Sequence, residues 1–165
     1  MDTKRITRLS LLTATALILF TVEAQIPPPV PVPGVKLGLA NIITVYAMFR
    51  CGSADALLIL LARVLLGSMF TGAVTALLFS LGGGLLCWLV MLVLHRVVTE
   101  QQLWVCGVIG AVFHNLGQML VCVAVYRTRA VLVYLPALLL SGILAGAFTG
   151  LTAQFLLKRM RNRLR

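Results

Sequence analysis

Acidic side chains are almost missing from this chain. Asp2, Glu23, Asp55 and Glu100 are all it has in 165 residues, and no two are neighbours. A carboxylate-rich site for magnesium and diphosphate therefore cannot be built. There is no GxxxxGK[ST] phosphate loop either, which excludes ATP hydrolysis by that route. Four cysteines are present, Cys51, Cys87, Cys106 and Cys122, with no CxxC pair among them. Three of them sit in apolar stretches, where a free thiol behaves as a small hydrophobe, so neither a metal site nor a disulfide framework is expected. The two histidines, His95 and His114, have no Ser or Cys partner nearby in sequence. The residue inventory thus points to no catalytic residue, no metal and no cofactor.

Charge of either sign is also missing over long stretches. Between Asp55 and His95 only Arg63 is charged, and nothing is charged between Ala130 and Leu157. With 61% hydrophobic residues, 11% charged residues and a mean hydropathy of +1.05, the solvent for most of this chain is a bilayer. At about 20 residues per span, the length holds five to six helices and no separate soluble domain. The pattern predicts one all-α membrane domain over 1–165, a six-transmembrane-helix bundle with helices near 6–24, 35–49, 55–79, 85–98, 103–126 and 131–157. Val22-Glu23-Ala24 before Gln25 resembles a cleavage site, but the first segment is long enough to be a retained helix. A proline-rich loop over 26–34, with Pro27, Pro28, Pro29, Pro31 and Pro33, favours stiff polyproline II. The Gly82-Gly83-Gly84 run reads as a break between the third and fourth helices.

The net charge of +10 sits at the span ends rather than in a surface patch, which argues for topology anchoring and against nucleic acid. Ten basic residues, Lys4, Arg5, Arg8, Arg50, Arg96, Lys158, Arg159, Arg161, Arg163 and Arg165, fall on one side of a six-span arrangement. Three, Lys36, Arg127 and Arg129, fall on the other. The positive-inside rule then places both termini in the cytoplasm and the proline loop outside.

Small residues recur every four positions at Gly142, Gly146 and Gly150, and at Ser68, Gly72 and Ala76. Such stripes let helices approach closely in lipid, and they read first as internal seams. Polar residues within spans are costly, and function is sought there. His114, Asn115 and Gln118 lie mid-way along the fifth segment, and Asn41 and Thr44 share a face of the second. The mid-span trio can line a ligand site or relay, or it can join helices by hydrogen bonds. Arg63, about two turns into the third segment, either faces the bundle, where it could hold an anionic group, or snorkels to the cytoplasmic interface. Glu23, closing the first segment near the outer face, reads as an interfacial acid, with a gate or ligand role as the alternative.

Two longer motifs carry a family resemblance. Pro33-Gly34-Val35-Lys36-Leu37-Gly38-Leu39-Ala40-Asn41 resembles a PGxKLGLAN signature, and the stretch from Ala111 to Gln118 resembles GAxxHNxGQ. Tyr134-Leu135-Pro136 and the Gly142, Gly146, Gly150 ridge fit as well. These are marks of the Gx transporter family, labelled heptaprenyl diphosphate synthase component I, which is similar to the substrate-binding S components of energy-coupling factor transporters. The resemblance implies an S-component-like fold in the inner or plasma membrane of a prokaryote. It implies a small-molecule ligand, vitamin-like or isoprenoid- and quinone-related, bound near the outer face by Lys36, Asn41, His114, Asn115, Gln118 and Arg63. It implies partners too: a coupling transmembrane protein and ATPase subunits, docked through small residues such as Ser10 and Ala14. A non-transporting accessory of an isoprenoid or redox assembly is the alternative.

Overall fold

The computed structural model describes residues 2–27, 38–71 and 74–163. Six α-helices account for nearly all of them, with two short 3-10 segments and no strand among the described residues. Helix α1 spans Thr3–Glu23, α2 Asn41–Arg50, α3 Ser53–Thr71, α4 Val74–Val97, α5 Leu103–Tyr126 and α6 Leu135–Arg163. Five of the helical segments are long and apolar enough to cross a bilayer: α1, α3, α4, α5 with its preceding turn, and α6 with its preceding turn. The exposed surface is apolar, with Leu11, Ile18, Met69, Phe70, Val93, Leu144 and Phe155 all facing outward. A lipid solvent satisfies such a surface where water does not.

Helix α1 begins three residues before the expected start because Asp2 caps it, accepting a hydrogen bond from the Lys4 amide at 3.3 Å. Helix α2 begins six residues later than 35. Gly38 stands at φ +84, a left-handed conformation that suits glycine, and its carbonyl accepts from the Asn41 amide at 2.9 Å. At ten residues α2 is about 15 Å long, roughly half a bilayer. It is the only helix whose first eight residues are all buried, and it packs against all the other α-helices. It is therefore a core plug rather than a free-standing span. Gly52, at φ +102, reverses the chain between α2 and α3.

The expected break at Gly82, Gly83 and Gly84 is not there. All three lie inside α4, and the third and fourth helices part at residues 72–73, which lie outside the described residues. In lipid, glycine within a helix admits a neighbouring backbone, and that is its use here. A methyl on Gly117 of α5 would fall 2.8 Å from Gly83 Cα, so the two helices meet backbone to backbone. The other face of α5 does the same with α6: a methyl on Gly150 would fall 2.6 Å from Trp104 Cα, and one on Gly146 2.7 Å from Val108 Cα. Gly142, Gly146 and Gly150 of α6 all face α5. The Ser68, Gly72, Ala76 stripe is not one face. Ser68 is in α3 and Ala76 in α4, while Gly72 lies outside the described residues. Gly67 makes the close contact instead, against the Phe20 ring of α1.

One end of the bundle collects the basic residues. Arg5 Nη2 and Nε meet Asp55 Oδ1 at 2.5 and 3.0 Å, pinning the starts of α1 and α3 together. The end of α2 meets the end of α4 through the Phe49 and His95 rings, 5.1 Å apart. Tyr46 of α2 donates to Met160 Sδ near the end of α6 at 3.1 Å. The chain therefore runs up and down with Arg5, Arg50, Arg96 and Lys158 toward the same end.

Candidate functional site

The polar side chains predicted from sequence converge inside this bundle. Asn41, Arg63, His114, Asn115 and Gln118 are all buried, Arg63 at 3% and Gln118 at 0% exposure. Five different helices and one turn supply the surroundings. Helix α2 contributes Asn41 from its first position, α3 contributes Arg63, and α5 contributes His114, Asn115 and Gln118. Gly83 of α4 lies against His114 and Gln118: a methyl there would come within 2.8 Å of Gln118 Cγ and of the His114 carbonyl oxygen. Gly142 of α6 does the same for Asn115, at 2.6 Å from Nδ2. Glycine at 83 and 142 is thus what lets amide and imidazole side chains occupy the interhelical space.

The two signature stretches meet at this point. A methyl on Gly38 would lie 2.9 Å from Asn41 Nδ2 and 3.6 Å from His114 Cδ2. The Gly38 amide donates to the Glu23 carboxylate, at the end of α1. Glu23 is buried, which corrects the reading of it as an interfacial acid. It holds the turn before α2 and stands within electrostatic reach of Arg63. Arg63 in turn acts electrostatically on His114 and Cys87. Arg63 is buried inside the bundle, at 3% exposure. Glu23, Gly38, Gly83 and Gly142 are the members that sequence reasoning did not assign to the site. Lys36, most of the proline loop and Gly34 lie outside the described residues.

Few of these polar atoms are satisfied by the protein. Asn115 Nδ2 donates to the Leu138 carbonyl of α6 at 2.7 Å. Asn115 Oδ1, both amide atoms of Asn41, both of Gln118, His114 Nδ1, and Arg63 Nε and Nη2 are buried without a protein hydrogen-bond partner. Leaving such groups unpaired in a dry interior costs roughly 1–3 kcal/mol each. Native interiors carry only a few orphans, and a concentration of them calls for a further group to pair with. No cluster of three or more metal-ligating side chains exists among the described residues.

Two hollows lie apart from this cluster. One, of about 440 Å³, opens at the basic end and is lined by Thr99, Glu100, Gln101, Gln154, Leu157 and Lys158. The other, of about 500 Å³, is a groove on the outside of the bundle between α1 and α3, with Ser10, Thr13 and Ala14 on one wall and Leu58, Ala62 and Leu66 on the other.

In comparison with known proteins, residues 12–156 match the family described as heptaprenyl diphosphate synthase component I. No curated protein and no solved structure matches the chain.

Proposed function

The chain belongs to the heptaprenyl diphosphate synthase component I family, and we propose that it is a substrate-binding membrane subunit of an energy-coupled uptake transporter. The observation that carries this reading is the cluster of unpaired polar atoms at Asn41, Arg63, His114, Asn115 and Gln118. A purely structural cluster pairs its own donors and acceptors. This one leaves them available to a small molecule with a polar head, while the surrounding apolar side chains hold the rest of it. The ligand enters from the end opposite the basic residues, near Gly38 and Glu23, and the termini are cytoplasmic. Energy comes from partner subunits, since the chain has no phosphate loop. The groove beside Ser10, Thr13 and Ala14 is the docking face for the coupling protein, its small residues allowing close helix approach.

The family's description favours a second reading, an accessory of an isoprenoid-forming assembly. The acid inventory speaks against catalysis by this chain itself, because Asp2, Glu23, Asp55 and Glu100 form no paired set. Purification of the full chain in mild detergent, followed by solvent extraction and mass spectrometry, tests the first reading. A small molecule bound at near-equal molar amount is the expected result. Protein that is folded and empty, and whose Gln118→Leu variant behaves identically in uptake by cells, would sink it.

A further inference from the structure

The orphaned atoms of Arg63 specify the ligand's head group. Nε and Nη2 are the two nitrogens along one edge of the guanidinium, and both are buried without a partner. This edge presents two parallel N–H groups, the fork that matches the two oxygens of an oxyanion. Asn41, Gln118 and His114 add neutral donors and acceptors, packed directly against Gly38 and Gly83. Among the described residues Arg63 is the one permanent cation of the cluster, and Glu23 already stands in its field. A buried charge must be closely matched. With Glu23 already offsetting part of the Arg63 charge, the cluster takes one further negative group at most, and a multiply charged diphosphate exceeds that.

We propose that the molecule bound here carries one oxyanion, a carboxylate or a single phosphoryl group, seated on the Nε–Nη2 edge of Arg63, with a hydrogen-bonding body against Asn41, His114 and Gln118. The proposal rests on the substrate-binding reading above and narrows it to a chemical class.

Wild type, Arg63→Gln and Arg63→Lys are purified as full chains, their thermal stability is recorded, and their extracts are analysed by mass spectrometry. The expected wild-type extract contains a molecule with one carboxylate or one phosphoryl group. Its occupancy falls at least tenfold in Arg63→Gln and falls less in Arg63→Lys, which keeps the charge but loses the fork. Ligand-stripped wild type is also heated with sodium benzoate, phenyl phosphate or neutral benzamide. At least one of the two anions raises the melting temperature and benzamide does not. The response to benzoate against phenyl phosphate tells carboxylate from phosphoryl. A neutral or diphosphate-bearing molecule in the wild-type extract, equal occupancy in Arg63→Gln, or equal shifts with benzamide overturns the proposal while leaving a substrate-binding subunit intact. An empty wild type overturns both. If Arg63→Gln fails to fold, the wild-type extract and the three probes still decide.

Discussion

Asn115 and Gln118 stand one helical turn apart and illustrate two different uses of a buried amide. Asn115 spends its Nδ2 on the Leu138 carbonyl and so ties α5 to α6. Gln118 has neither atom paired within the protein. Replacing Asn115 by alanine removes a made interhelical bond, and membrane bonds of this kind contribute roughly 0.6–2 kcal/mol. Asn115→Ala is thus expected to lower the unfolding free energy by about 1 kcal/mol. Gln118→Leu removes only unpaired groups at similar volume and is expected to leave stability unchanged or raise it. Ligand occupancy should fall in both. Thermal unfolding of the two purified variants checks this, and a Gln118→Leu protein much less stable than Asn115→Ala would show that Gln118 is a structural tie.

At the scale of the helices, glycine is the organising residue. Gly107 faces α6 so closely that a methyl would lie 2.5 Å from Gly150 Cα and 2.7 Å from its amide nitrogen. Those are backbone atoms, so α5 and α6 must separate to accept it. Gly107→Ala is expected to cost about 1–3 kcal/mol, the usual range for overpacking. Gly52 is the contrasting case. A methyl there meets nothing within 4 Å, but φ is +102. Gly52→Ala is expected to cost about 1–2 kcal/mol through backbone strain alone, with the α5–α6 seam undisturbed. Crosslinking between cysteines placed on facing positions of α5 and α6 separates the two: the yield drops in Gly107→Ala and holds in Gly52→Ala. An unchanged yield in both would mean that the seam tolerates a side chain at Gly107.

For the molecule as a whole, the up-and-down course of the chain brings Arg5, Arg50, Arg96 and Lys158 to one end of the bundle, the end that the positive-inside rule predicts to be cytoplasmic. A cysteine introduced at Lys158 is expected to react with an impermeant maleimide only after the cells are opened, and one at Arg127 in intact cells. Labelling of the Lys158 position from outside would reverse the orientation. Catalysis can be checked on the same purified chain. Supplied with magnesium and prenyl diphosphate precursors, it is expected to make no longer product. Robust turnover without any partner would contradict the reading of its four scattered acids.

The membrane class, the all-helical architecture and the polar centre of α5 follow from the sequence alone, because long apolar runs have few alternatives in lipid and a polar residue within one stands out by composition. Helix α5 begins and ends where its apolar run does. Tertiary structure decided the rest. Gly82, Gly83 and Gly84 look like a breaker by local propensity, yet they are helical: α5 packs against Gly82 and Gly83, and Leu60 of α3 packs against Gly84. The short α2 reads as a modest apolar segment, and only its contacts with every other helix reveal a core plug. Arg63 could have snorkelled or turned inward with equal local cost. The inward position is the one that brings its guanidinium within electrostatic reach of Glu23, at the end of α1 and forty residues away along the chain. Local sequence carries periodicity and polarity, but which helix faces which depends on distant backbones meeting, and that information is shared among all of them.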